Sequence, residues 1–141
     1  MLDAVEAADP DIVLLLGWMH LLPAAFVAAF PRLYNIHPAY LPLRPEEDEV
    51  ILPDGSRQPA FRGPRAVEDA LAADARWIGA SVHRVTEAVD RGSIVARAPL
   101  PLLKEDRATL DARLHALEHR VLIDAVDWIV SRFHARPNGP G

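Results

Sequence analysis

The hydrophobic pattern divides the chain into short apolar runs and one long amphipathic stretch. Ile12-Val13-Leu14-Leu15-Leu16 is an unbroken apolar run of strand length behind an Asp9-Pro10-Asp11 turn, and a run of this kind predicts a buried strand over Ile12–Gly17. Leu2 to Ala8 ahead of the turn reads as the last turns of a helix. Pro23 to Ala29 predicts a second helix, opened by a proline where a missing N–H costs little. Leu33–His37 predicts another strand, stopped by Pro38. From Leu43 to Gly63 the chain turns polar, acidic and proline-rich, with Val50-Ile51-Leu52 and a Pro53-Asp54-Gly55 turn suggesting a small hairpin. A helix is expected from Pro64 to about Ala75, a strand over Gly79–Val85, a loop over Thr86–Gly92, and a strand over Ser93–Leu102 interrupted at Pro99. The last element is a helix from about Arg107 to Phe133. Leu110, Leu114, Leu117, Val121, Ala125 and Trp128 step along it by four and three and define one buried face.

Strands alternating with helices predict an α/β layer fold with a mainly parallel sheet. In such sheets ligands bind beyond the carboxyl ends of the strands, so the residues that end strands carry the functional information. Residues 1–135 are read as one domain and residues 136–141 as a mobile tail. The uncharged stretch from Ile12 to Phe30 approaches the ~20 residues of a membrane span. Gly17, His20 and Pro23 break it, and it changes from strand-like to helix-like midway, so a strand–turn–helix join is the better reading. Acidic residues precede the run and the first basic residue is Arg32, which argues against a signal peptide.

Composition narrows the chemistry. Twenty acidic against fifteen basic residues give a net charge of -5, which disfavours a nucleic-acid surface. The absence of cysteine excludes disulfides, thiolate metal sites and cysteine nucleophiles, and fits a cytoplasmic protein. Two features then stand out. Asn35 and His37 are two apart on a strand, so they share a face while Ile36 takes the other, and Pro38 leaves them near the strand end. An amide donor beside an imidazole suits a reaction that builds charge on a carbonyl oxygen and moves a proton. A hydrogen-bonded Asn and His capping a strand would look the same. Asp90, in Glu87-Ala88-Val89-Asp90-Arg91-Gly92, follows a strand that parallel pairing would bring beside the first. It is either the carboxylate that orients His37 or an ordinary turn residue.

Gly17-Trp18-Met19-His20-Leu21-Leu22, Asn35-Ile36-His37-Pro38-Ala39-Tyr40-Leu41-Pro42 and Gly79-Ala80-Ser81-Val82-His83-Arg84-Val85 with Val89-Asp90-Arg91-Gly92, in that order, resemble the formyltransferases that use 10-formyltetrahydrofolate. Glu118-His119 matches a further pair, and the likeness runs from about residue 9 to residue 133. The resemblance implies the C-terminal, catalytic half of a Rossmann-like domain and a metal-free transfer of a formyl group to a small primary amine. An acceptor of the phosphoribosylglycinamide type, as in purine biosynthesis, is the first expectation. A nucleotide-sugar acceptor, or a truncated homologue that binds folate without catalysis, are the alternatives. It further implies that Asn35 and His37 stabilise the tetrahedral oxyanion and that Asp90 holds the charged His37. Folate would lie against Met19, His20, Leu21 and Leu22 and against Val85, Thr86, Glu87 and Val89. Gly17, Pro38 and Glu118 would contact the acceptor.

The departures from that pattern are informative. His20 stands where the family usually has Arg, Ala39-Tyr40 replaces Ser-Leu, and Arg91-Gly92-Ser93 replaces a Gly-Gly-Pro run. Leu43–Phe61 is longer than in the purine enzyme, and Leu43–Gly63 is expected to be a mobile lid over the folate site. Nothing before Asp9 matches the glycine-rich, phosphate-holding half of the family domain. The expectation is a poor enzyme in isolation, assembling as a homodimer through an uncovered strand edge or with a separate N-terminal half. His115-Ala116-Leu117-Glu118-His119 spells an inverted zinc motif, but no glutamate follows to complete the ligand set. Pro38, where a formyl-folate deformylase has a second histidine, favours transfer over hydrolysis. No membrane or nucleic-acid partner is expected.

Overall fold

A computed structural model describes residues 2–16, 23–86 and 92–135. In chain order the elements are α1 (Leu2–Ala8), β1 (Val13–Leu16), α2 (Ala24–Ala29), β2 (Leu33–His37), β3 (Glu49–Ile51), β4 (Arg57–Pro59), α3 (Ala66–Ala72), β5 (Trp77–Arg84), β6 (Ile94–Pro101) and α4 (Arg107–Ala135). The apolar run that was long enough to suggest a membrane span contributes β1 and then α2. Among the described residues no helix is long and apolar enough to cross a membrane.

Four strands form one sheet in the order β1-β2-β5-β6. β1 and β2 pair in parallel, joined by α2, because parallel neighbours need a crossover to bring the chain back. β5 runs antiparallel to β2 on one side and to β6 on the other. Strands β1, β2 and β6 therefore point one way and β5 alone is reversed. This corrects the expected parallel pairing of β5 with β2. The two strands are neighbours, but β5 ends beside the start of β2, where the Val85 N–H donates to the Leu33 carbonyl at 2.8 Å.

Alternation along β2 and β5 sorts their side chains onto two faces. Ile36, Ile78, Ala80 and Val82 join Leu110, Leu114, Leu117, Val121 and Ala125 of α4 in the main core. On the other face Leu33 packs with Phe26 and Phe30 of the α2 region, against Leu2 and Val5 of α1. The two phenylalanine rings lie 5.0 Å apart and tilted by 57°. β5 is covered on both sides and is buried from Ile78 to His83.

Two local expectations change. The buried stripe of α4 ends on Ile129, 4% exposed, whereas Trp128 is 40% exposed under the Arg132 guanidinium. Trp128 lies 18 residues, five full turns, beyond Leu110, so helix period alone would keep it on the buried side; the buried stripe instead moves on by one residue to Ile129 at this end of the helix. β6 runs unbroken through Pro99 to Pro101. It is an edge strand, and prolines two apart direct their missing N–H groups to the same, unpaired side. These prolines also blunt the edge against further pairing.

The segment expected to be a mobile lid is instead docked. β3 and β4 form the anticipated hairpin, but Val50 and Leu52 are 2% and 3% exposed. Gln58 Nε2 donates to the Trp77 carbonyl at 2.9 Å, and the Trp77 indole N–H reaches Asp54 Oδ2 at 3.5 Å. The hairpin alternates like any half-buried ribbon, so its inward side chains tie it to the N-terminal end of β5.

The start of α4 is fixed by Asp106, whose Oδ1 accepts the Thr109 N–H at 2.7 Å. The backbone bond from Thr109, joined by its hydroxyl, holds the Asp106 carboxyl below the usual carboxylate range. A carboxyl depressed on folding contributes stability above its unfolded value and loses it as pH falls through the folded one. Asp106→Ala is expected to lower the thermal midpoint at neutral pH, with the difference from the parent chain closing in acid. Melting curves across the acidic range check this, and a pH-independent difference would contradict the capping role.

Candidate active site

Among the described residues the buried polar side chains are four: Asn35 at 7% exposure, His37 at 4%, Ser81 at 0% and His83 at 3%. They are neighbours on one face of the sheet. Asn35 is opposite His83 and His37 is opposite Ser81 in the β2–β5 register. The rings of His37 and His83 approach edge to face, with centroids 6.4 Å apart. A pair of strands that buries apolar side chains on its α4 face thus reserves its other face, next to the Leu33 cluster, for hydrogen-bonding groups.

Each polar group has a distinct setting. The Ser81 hydroxyl donates to the Ala39 carbonyl at 2.7 Å and accepts the Leu41 N–H at 3.0 Å, stapling the chain that follows Pro38. Arg97, opposite Ser81 on β6, donates to the Leu41 carbonyl at 2.8 Å and lies 4.3 Å from the centre of the Tyr40 ring. Tyr40 can lie this close because residue 79 is glycine; a Cβ there would run into the Ala98 carbonyl and come within 3.0 Å of the Tyr40 Cβ. His37 Nε2 is 2.7 Å from the Phe61 carbonyl. His83 Nδ1 is 3.1 Å from the Arg84 carbonyl. The Asn35 amide oxygen is buried with no hydrogen-bond partner among the described residues. A buried acceptor left unsatisfied costs about 1–3 kcal/mol, so a structural reading of Asn35 explains it poorly.

Asn35 and His37 are brought together as the strand period requires. Pro38 follows them at the end of β2, half-buried. Val85 packs against the Phe26–Leu33 cluster and Thr86 is exposed where the described part of this segment ends. Glu118 lies on α4, the helix that covers the opposite face of the sheet, next to the core residue Leu117. Gly17, Met19, His20, Leu21, Leu22, Glu87, Val89 and Asp90 lie outside the described residues. Gly92 is packed so tightly on β5 that a Cβ would collide with the Arg84 carbonyl oxygen. The Arg84 N–H donates to the Ser93 carbonyl at 2.9 Å beside it. The chain therefore leaves β5 and rejoins the sheet at one place. Ser81 and His83 were missed as site residues. Their signal was the Ser81-Val82-His83 alternation, which mirrors Asn35-Ile36-His37 but reads as strand core until the register is known.

His115 and His119 are exposed on α4, and among the described residues no three His, Asp or Glu side chains converge as metal ligands. Glu118 is half-buried, and desolvation, with Asp111 adding to it against an opposing pull from His115, pushes its carboxyl above the ordinary value. A carboxyl raised on folding is destabilising once ionised, so stability falls as pH rises through that window. Glu118→Gln is expected to raise the thermal midpoint at neutral pH and to leave it unchanged in acid. An equal shift at both pH values would contradict the desolvation argument.

Comparison with known proteins identifies the family. The family described as formyl transferase matches residues 1–44 and 50–126. A phosphoribosylglycinamide formyltransferase of Mycobacterium tuberculosis is 37% identical over 125 residues, which cover 87% of this chain and 50% of that protein. The chloroplastic phosphoribosylglycinamide formyltransferase of Vigna unguiculata is 31% identical over 129 residues, 90% of this chain and 38% of that one. Among solved structures, phosphoribosylglycinamide formyltransferase from Streptococcus pneumoniae superposes with a TM-score of 0.73 at 28% identity, over 92% of this chain and 63% of that chain. The enzyme of the same name from Brucella melitensis gives a TM-score of 0.65 at 37% identity, over 95% and 59%. The chain spans about half the length of the curated relatives it matches. With the family pattern matched over most of its residues and the Asn35–His37 strand in place, the chain belongs to the formyl transferase family.

Proposed function

We propose that this chain carries the chemical half of a transfer of the formyl group from 10-formyltetrahydrofolate to the primary amine of phosphoribosylglycinamide. The observation that carries the reading is the confinement, among the described residues, of the buried polar side chains to one row, Asn35, His37, Ser81 and His83. The names of the relatives favour this acceptor over a nucleotide sugar.

In this reading the amine lone pair attacks the formyl carbon and the carbonyl π pair moves onto oxygen. The Asn35 amide N–H and a protonated His37 stabilise that oxyanion, the largest single contribution such sites make. The unpartnered Asn35 Oδ1 accepts a proton-bearing N–H of the attacking amine. Collapse of the intermediate breaks the bond to the folate nitrogen, which takes up a proton, while the new amide nitrogen loses one. Asp90, by resemblance, keeps His37 charged and relays the proton. The folate is expected against residues 19–22 and 85–89, with Pro38 on the acceptor side and, by resemblance alone, Glu118, which sits on the helix covering the other face of the sheet.

By resemblance, the acceptor's phosphate falls to the glycine-rich half of the family domain. β1 is the edge of the described sheet, and the proposal is that a separate N-terminal half pairs there and supplies that site, whereas a second copy pairing there would cover the edge alone. Phosphate sites of this kind use backbone N–H groups at a helix N-terminus.

Steady-state formyl transfer tests the reading. His37→Ala and Asp90→Asn are each expected to cut turnover at least ~100-fold, the scale of a positioned acid–base group, while calorimetry shows a folate analogue still binding. A chelator is expected to leave the rate unchanged. Near-normal turnover in either variant, or loss of activity with chelator, would contradict the assignment.

A further inference from the structure

We infer that the docked β3–β4 hairpin is a positioning device that locks His37 in the tautomer protonated at Nε2, leaving Nδ1 as the nitrogen that exchanges its proton during the reaction. The inference deepens the proposed function and rests on it for its catalytic consequence, though not for its geometry. A backbone carbonyl can only accept, so the 2.7 Å contact between Nε2 and the Phe61 oxygen requires the proton on Nε2. In a neutral imidazole the other nitrogen is then the acceptor.

What holds the Phe61 carbonyl in place is traceable. Phe61 stands two residues past the end of β4. The Ala60 N–H donates to the Asp48 carbonyl at 2.8 Å and closes the base of the hairpin just before it. Phe61 itself packs with Ala39, Leu41 and Ala66. The hairpin is fastened to β5 by Gln58 on the Trp77 carbonyl and by the Trp77 indole on Asp54. Trp77 begins the same strand that carries Ser81 and His83. The clip and the polar row are therefore referenced to one strand, and the clip fixes an acceptor on the imidazole from outside the row. Gln58 and Trp77 act through the Phe61 carbonyl and are positioning residues.

Nitrogen NMR of the full chain with isotope-labelled histidine identifies which ring nitrogen of His37 carries the proton. The neutral fraction of His37 in the parent chain is expected to carry its proton on Nε2, with Nδ1 gaining one only in the charged form that the proposed function uses; a neutral form protonated at Nδ1 would overturn the inference. Gln58→Ala combined with Trp77→Phe removes both ties and is expected to give a mixture of tautomers at His37. It should also lower kcat about tenfold, part of the ~100-fold a positioned acid–base group supplies, with KM for the formyl donor unchanged. Gln58→Ala alone keeps the indole and gives a milder variant should the pair fold poorly; it should move the tautomer balance in the same direction. An unchanged single tautomer in these variants would show that the hairpin does not hold the acceptor. Absence of formyl transfer in the parent chain would count against the proposed function, and the tautomer measurement would still decide the lock.

Discussion

Residues two apart on a strand must face the same way, and nearly everything specific to this molecule depends on that constraint. β2 and β5 pair so that Asn35 and His37 meet His83 and Ser81 on one face while Ile36 meets Val82 on the other. The apolar face is claimed by α4, which packs Leu110, Leu114, Leu117, Val121 and Ala125 against it. That leaves a second face that need not contribute much to cohesion beyond the Phe26–Leu33 cluster. A protein of ordinary stability has a margin of only 5–15 kcal/mol. Four buried polar groups are tolerable because the opposite face is packed so completely.

The row is also held rigid from outside. Ser81 staples Ala39 and Leu41, Arg97 and Tyr40 press on the same stretch, and the Phe61 carbonyl meets His37. A group that stabilises a transient charge acts best when it does not have to reorganise. Gly79 and Gly92 are the points where backbone approaches so closely that a side chain has no room. The first admits Tyr40 and the second returns the chain from β5 to β6 without a gap.

Much of this was legible in the sequence, and the failures have physical causes. β2 was read with its observed bounds because Pro38 ends it, and the hairpin because Pro53-Asp54-Gly55 spells a turn; Gly55 takes a φ of 84° there. The direction of β5 was not legible. Strand–helix alternation implies parallel neighbours, but the connection from β2 to β5 also contains a hairpin and a short helix, and nothing local in Trp77–Arg84 records which way it runs. Acidity and proline suggested that Leu43–Gly63 was mobile, yet Val50 and Leu52 are buried and Gln58 ties the hairpin to Trp77 of β5. Ser81 and His83 were hidden for a related reason. A serine and a histidine inside an apolar strand become site residues only when the register sets them across from Asn35 and His37.

The account stands on the claim that the row is kept for chemistry and not for cohesion, and Asn35 tests it most directly, because its amide oxygen is buried without a partner among the described residues. Asn35→Leu replaces the amide by an apolar group of similar shape, which removes the desolvation penalty of an unsatisfied acceptor. Thermal unfolding and formyl transfer measured on the same preparation should separate, with the midpoint rising above that of the parent chain and transfer lost. A midpoint that falls by several degrees would show that Asn35 is part of what holds the fold together, and would contradict the account.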